Sequence, residues 1–155
     1  MQLHFYDERF KTLIDHYQIT EDQLRFTGRP TDCIKLSATD IDRYSILAME
    51  EDQVVTFFDL HKNEGAKPYS DNEHAIVIRS FSTDFRHLGK GYAKMALRLL
   101  PEFIRKHFRE IDEIVLAVNV QNEVAQGLYK ACGYIDEGER MMGPRGELIV
   151  MSYYL

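Results

Sequence analysis

The chain has 155 residues, a length that fits one domain with a substantial core. Hydrophobic residues make up 45% and charged residues 28%, ordinary for a soluble globular protein, and no apolar run approaches the roughly 20 residues that cross a bilayer. The formal net charge of −6 argues against nucleic acid as the main partner, because phosphate backbones select basic surfaces, and suits a cationic substrate such as an amine or polyamine.

The N-terminus, Met1 to Glu8, lacks the basic stretch and apolar run of a secretory leader, so a cytoplasmic location is expected. Leu3 to Tyr6 predicts a short first strand. Asp7 is an N-cap candidate for a helix through Phe10, Leu13, Ile14 and Tyr17. Thr20-Glu21-Asp22-Gln23 has the spacing of a capping box and opens a second short helix that Gly28-Arg29-Pro30 ends. Two strand-like runs, Tyr44 to Met49 and Val54 to Leu60, flank Glu50-Glu51-Asp52-Gln53 and predict a hairpin. Asn63 to Asn72 is polar, with Gly65 and Pro68, and predicts an exposed loop.

Ala75 to Phe81 has the apolar, β-branched character of a buried strand. Leu88-Gly89-Lys90-Gly91-Tyr92-Ala93 then hands over to a helix whose apolar positions are Ala93, Ala96, Leu97, Leu100, Ile104 and Phe108. A helix that starts from such a turn offers unpartnered backbone N–H groups and a positive dipole end, which suit a phosphate. Pro101 is expected to bend this helix or end its first segment. An apolar strand, Glu113 to Val118, precedes a helix over about Glu123 to Ala131 that Gly133 terminates. Glu139 to Met142 and Leu148 to Tyr154 read as strands about Gly143-Pro144-Arg145-Gly146. The order predicts an α/β domain over 1–155 with a mixed, mostly antiparallel sheet. Two cysteines, Cys33 and Cys132, and six scattered histidines show no metal-ligand spacing; free thiols and no structural zinc are expected.

From Leu116 the chain reads Leu116-Ala-Val118-Asn-Val-Gln-Asn122-Glu-Val-Ala125-Gln-Gly-Leu128-Tyr129-Lys-Ala-Cys-Gly133-Tyr134. It resembles the strand-to-helix signature of the GNAT N-acetyltransferase superfamily, Leu-x-Val-x-x-x-Asn-x-x-Ala-x-x-Leu-Tyr-x-x-x-Gly-Phe, with Tyr134 in place of the Phe. About thirty residues upstream, the glycine turn lies where that family places its acetyl-CoA pyrophosphate loop, (Arg/Gln)-x-x-Gly-x-(Gly/Ala). Two frames fit. One puts Gly91 and Ala93 at the small positions and Leu88 at the Arg/Gln position; the other is Arg86-His87-Leu88-Gly89-Lys90-Gly91. The first is preferred, because Gly-Lys-Gly-Tyr-Ala-Lys leads directly into the amphipathic helix.

The resemblance implies a mostly antiparallel sheet flanked by helices, with a splayed strand pair at the acetyl-CoA site. It implies that the backbone of Gly89 to Ala93, with Lys90 or Lys94 nearby, holds the pyrophosphate. It implies that Phe81, Ser82 and Thr83 pair with the pantetheine amides, one N–H facing the thioester carbonyl. Asn122 would cap its helix and reach the pantetheine arm. Tyr129, seven residues on and so on the same helical face, would protonate the leaving thiolate. The general base stays open among Glu73, His74, Glu137, Glu139 and a water chain. The acceptor pocket would draw on Tyr17, Phe26 and the loop around Tyr69.

The implied activity is direct acetyl transfer from acetyl-CoA to a primary amine of a small molecule such as a polyamine. Protein or peptide amines, and a non-catalytic acyl-CoA-binding module, stand as alternatives; retained Tyr129 argues against the module. A P-loop nucleotide site is excluded, since Gly89-Lys90-Gly91 lacks the Gly-x-x-x-x-Gly-Lys-Ser/Thr frame. The tail Met151 to Leu155 is expected to complete the sheet, with a homodimer left open.

Overall fold

The computed structural model describes residues 1–155. Seven strands form one sheet: β1 (Gln2–Phe5), β2 (Arg43–Glu50), β3 (Gln53–Lys62), β4 (Ala75–Thr83), β5 (Glu113–Asn119), β6 (Ile135–Gly143) and β7 (Gly146–Tyr154). Their order is β1-β2-β3-β4-β5-β7-β6, and every neighbouring pair is antiparallel except β4 and β5. That pair is parallel because α4 (Tyr92–His107) carries the chain back between the two strands.

α4 covers one face of the sheet because its apolar stripe, Ala96, Leu97, Leu100 and Ile104, is wholly buried there. It packs with α5 (Glu123–Ala131) over Ile46, Phe58, Ile76, Ile114 and Leu116. Each such Leu, Ile or Phe side chain contributes roughly 1.5–3 kcal/mol by leaving water. Pro101 does not end α4 as expected; the helix runs on to His107. Pro101 itself is buried on the same apolar stripe, so packing on both sides of it offsets the one missing N–H donor.

The opposite face carries three short helices, α1 (Lys11–Asp15), α2 (Glu21–Leu24) and α3 (Pro30–Ala38). They cover Leu47 and Phe57 through Ile14, Tyr17 and Cys33. Asp7 accepts from the Arg9 amide at 2.9 Å, but the turn it caps is a 3-10 turn ahead of α1, and Tyr17 lies beyond that helix. The expected capping box is present: the Gln23 amide donates to Thr20 Oγ1 at 3.3 Å, and the Thr20 amide donates to Gln23 Oε1 at 2.9 Å. Pro30 does more than end this segment. It occupies the first turn of α3, where its fixed φ suits a helix start and its missing N–H leaves nothing unpaired, so one Gly-Arg-Pro run separates two helices.

The loop expected to be exposed is partly buried. It begins with a 3-10 turn, Asn63–Gly65, and Ala66 packs under the sheet against Ala75, Val77, Val115 and Val150. β7 lies between β5 and β6, so the aromatic tail completes the sheet.

β4 and β5 pair only at Ala75–Glu113, Ile76–Ile114 and Val77–Val115. Beyond Val77 the strands part. β4 also bulges there: Phe57 faces Ser82 and Asp59 faces Arg79, so Phe58 on β3 opposes both Ser80 and Phe81. Ser80 sits at φ 55° within this bulge. The β5-facing edge of β4 is thereby left without a strand partner on the residues that follow.

Candidate functional site

A cleft of about 720 Å³ opens where β4 and β5 part. Its lining brings together Leu88, Ala93, Asn122 and Tyr129 with Asp22 to Gly28 and the β6–β7 turn, Pro144 and Arg145.

The glycine turn is built for an anion. Asp84 holds a 3-10 turn over Phe85–His87 by accepting from the Arg86 amide at 2.8 Å. Gly89 and Gly91 follow at φ 77° and φ 80°, in the left-handed region that glycine occupies without a Cβ penalty. Gly91 caps α4 with no side-chain bond, and the first bond onto it comes from the Met95 amide at 3.0 Å. The amides of Tyr92, Ala93 and Lys94 therefore have no acceptor inside the helix. A Cβ built at either glycine would meet nothing within 4 Å, so the space above the loop is open.

Leu88 and Ala93 line the cleft, while Gly89, Lys90, Gly91, Tyr92 and Lys94 lie beside them outside its lining. Both left-handed glycines occupy the small positions of the frame that begins at Arg86; the frame beginning at Leu88 holds only one of them. Arg86 is itself engaged, paired with Asp84 at 2.8 Å and donating to the His16 carbonyl at 3.1 Å.

Phe81, Ser82 and Thr83 all border the cleft. Their side chains are committed elsewhere: Phe81 stacks on Phe58, Ser82 Oγ lies 2.9 Å from the Tyr17 hydroxyl, and Thr83 Oγ1 lies 3.2 Å from Thr56 Oγ1. What this segment offers a ligand is its backbone edge. Asn122 caps α5 by accepting from the Ala125 amide at 3.2 Å and borders the cleft as well.

Tyr129 is buried, with its ring edge-on to Phe81 at 6.1 Å and to Tyr134 at 6.0 Å. Burial, with a smaller push from nearby Cys132, raises its phenol above the ordinary value, so it holds its proton at neutral pH.

The remaining candidates fall partly inside and partly outside the cleft. Tyr69 is outside the cleft; it packs beside Ala66, with Arg79 over its ring at 5.3 Å. Tyr17 is in the core and reaches the site only through Ser82, whereas Phe26 does line the cleft. None of Glu73, His74, Glu137 and Glu139 borders it, and Glu137 accepts from the Tyr154 hydroxyl. The charged residues that do line it are Asp22, Arg25 and Arg145, none of which the sequence singled out. Each lies on a short helix, a loop or a turn, and only the parting of β4 from β5 gathers them.

The sequence model of the acetyltransferase (GNAT) family matches residues 5–134. The chain belongs to that family. A Bacillus subtilis (strain 168) relative, an uncharacterized N-acetyltransferase YbbJ, is 37% identical over 156 residues, spanning 100% of this chain and 98% of its own. This GNAT chain is accordingly an acetyl-CoA-dependent N-acetyltransferase.

Solved GNAT structures share the fold at low identity. The aminoglycoside acetyltransferase AAC(6')-Ib, in complex with paromomycin and acetyl-CoA, superposes with a TM-score of 0.79 at 15% identity, covering 99% of this chain and 92% of that one. The spermidine N-acetyltransferase from Vibrio cholerae, in complex with CoA and spermine, gives 0.72 at 14% identity, covering 99% and 94%. In this GNAT chain no helix is long and apolar enough to cross a membrane.

Proposed function

We propose that the chain transfers an acetyl group from acetyl-CoA directly to a primary amine of a small molecule, in the cleft between β4 and β5. One observation supports the reading: the cleft where β4 parts from β5 is lined by Ala93 at the start of α4, by the free edge of β4 and by Tyr129.

Acetyl-CoA supplies an acyl group already activated as a thioester. The amides from Gly89 to Lys94 bind its pyrophosphate, favoured by the positive end of α4. In this reading Arg86 fills the Arg/Gln position of the loop through its structural pair with Asp84, so Leu88 there is no departure. The open edge of β4 at Phe81 to Thr83 pairs with the pantetheine amides, and Asn122 orients the arm. The neutral amine attacks the thioester carbonyl and the C–S bond breaks. Tyr129 gives its phenolic proton to the departing sulfur, and the proton the amine nitrogen loses passes to water, from which the phenol is restored.

Direct transfer needs no nucleophile of the protein's own. Neither cysteine borders the cleft, and Ser82 is tied to Tyr17. The polyamine expected from the overall charge finds less support in the cleft, whose lining has one carboxylate against two guanidinium groups.

Thermal unfolding with acetyl-CoA, free CoA and ATP tests the reading. A hundredfold excess over Kd adds about 2.7 kcal/mol, or roughly 5–10 °C for a chain of this size. Shifts with both CoA species and none with ATP are expected. No shift at millimolar acetyl-CoA would remove the acetyl-transfer reading.

A further inference from the structure

The lining of the cleft has a charge character that the whole chain does not. Overall the chain carries 25 acidic residues against 19 basic ones, so carboxylates are in excess. Most of its other arginines have taken one: Arg9 pairs with Asp7, Arg29 with Glu21, Arg43 with Asp59, Arg86 with Asp84, Arg105 with Glu102 and Arg140 with Asp136. Arg25 and Arg145 pair with no carboxylate, and both line the cleft. The one carboxylate there, Asp22, pairs with neither.

Their placement is held by structure. The turn that carries Arg145 is fixed from below: Asn119, buried at the end of β5, donates from Nδ2 to the Arg145 carbonyl at 3.0 Å. The Val120 amide donates to the Glu147 carbonyl at 3.1 Å on the far side of the same turn. Arg25 directly follows α2, whose capping box fixes its start, and its guanidinium lies over the Phe26 ring at 5.4 Å. Gln23, between Asp22 and Arg25, donates to the Thr83 carbonyl at 2.7 Å and ties this segment to β4. The same lining includes the apolar Ala117 and Leu148. Thr27 Oγ1, buried without a partner, belongs to the same wall.

Two unpaired guanidinium groups lining one largely apolar cleft suit an anion, and a planar carboxylate in particular. A polycation would meet like charge there. We propose that the acceptor is a small amino acid-type molecule, an amine that also carries a free carboxylate, and that Arg25 and Arg145 receive the carboxylate. Asp22 then supplies the negative charge for the ammonium at the other pole of the molecule. The inference rests on the acetyl-transfer reading above and adds the substrate class to it.

The test uses matched acceptors that differ only in the carboxylate: L-lysine against cadaverine, L-ornithine against putrescine, and L-lysine against its carboxamide. With acetyl-CoA as donor, kcat/KM for each free acid should exceed that of its partner by about tenfold or more. Arg25→Gln and Arg145→Gln should each collapse that ratio, mainly through KM for the acid, while acetyl-CoA still raises the unfolding temperature of both variants. Equal or better turnover of cadaverine, putrescine or the carboxamide overturns the inference, as does a ratio that survives both substitutions. Should no probe be acetylated, the same pairs are compared by thermal stabilisation of the CoA-loaded chain. No stabilisation by L-lysine or L-ornithine beyond that by their partners also overturns it. Failure of the transfer reading is distinct, since it shows as no thermal shift with acetyl-CoA in the parent chain.

Discussion

Replacing Tyr129 with Phe isolates one hydroxyl. The ring stays against Phe81 and Tyr134, so its apolar burial is kept. The hydroxyl has no hydrogen-bond partner in the protein, and what raises its pKa is burial followed by the proximity of Cys132. Removing it breaks no internal bond, and stability should change by no more than about 0.5 kcal/mol, or about 2 °C. Turnover is a different matter. Loss of a positioned acid costs about 10²–10⁴-fold, so kcat for release of the free CoA thiol should fall at least about 100-fold. The acetyl-CoA-induced thermal shift should persist in the variant. Tyr134→Phe is the matched control, because its hydroxyl is buried and unpartnered in the same core. Deleting an unsatisfied buried polar group relieves a penalty of about 1–3 kcal/mol, so that variant should be as stable as the parent or more so, with kcat unchanged. A Tyr129→Phe enzyme within about threefold of the parent kcat would refute the acid role, as would lost acetyl-CoA binding with unaltered turnover.

Gly91→Ala places a Cβ at φ 80°, a strain of roughly 1–2 kcal/mol, and should lower the melting temperature by about 2–4 °C per kcal/mol while shrinking the acetyl-CoA shift. Gly91→Asn, which tolerates the left-handed region, should recover part of the stability; an alanine variant as stable as the parent contradicts the strain. Burial alone would push the Asp84 carboxyl up, but hydrogen bonds from the Arg86 guanidinium and the Gln18 and Arg86 amides outweigh it and hold it below its ordinary value. The stability it contributes is full above the unfolded carboxyl's pKa of about 3.9 and is lost as pH falls through the lower folded value. Urea unfolding of Asp84→Asn should show lower stability at pH 7 and a flatter decline below pH 4, and an unchanged acid slope would assign that decline to other carboxylates.

Local chemistry wrote most of the architecture into the sequence. The two strand-like runs, Tyr44 to Met49 and Val54 to Leu60, became the β2–β3 hairpin, the Thr20–Gln23 spacing became a reciprocal cap, and Asn122 to Ala131 became α5 with Asn122 at its start. Gly89 and Gly91 stand at a helix start because only a residue without Cβ takes their φ cheaply. Such signals act over a few residues, and a sequence shows them directly. Of the two outcomes open for Pro101, a bend or an end, the helix does not end there: its local preference is helix-breaking, yet α4 runs on to His107 along a buried stripe.

The cleft itself was legible only through the family pattern. That β4 and β5 separate after Val77 depends on pairings between residues some forty positions apart. The bulge at Ser80 depends on what faces it from β3. Of the candidates left open for the base, Glu73, His74, Glu137 and Glu139 lie on elements that the topology places outside the cleft, while Tyr69 turns its ring toward Arg79. Conversely, Asp22, Arg25 and Arg145 are ordinary surface charges in any window of sequence. They line one cleft because Gln23 fastens α2 to β4 on one side of it and Asn119 fastens the β6–β7 turn to β5 on the other. The sequence alone determined the helices, strands and anion-binding turn, since those follow from neighbouring residues; which charges meet an acceptor was decided only when long-range hydrogen bonds brought distant segments together.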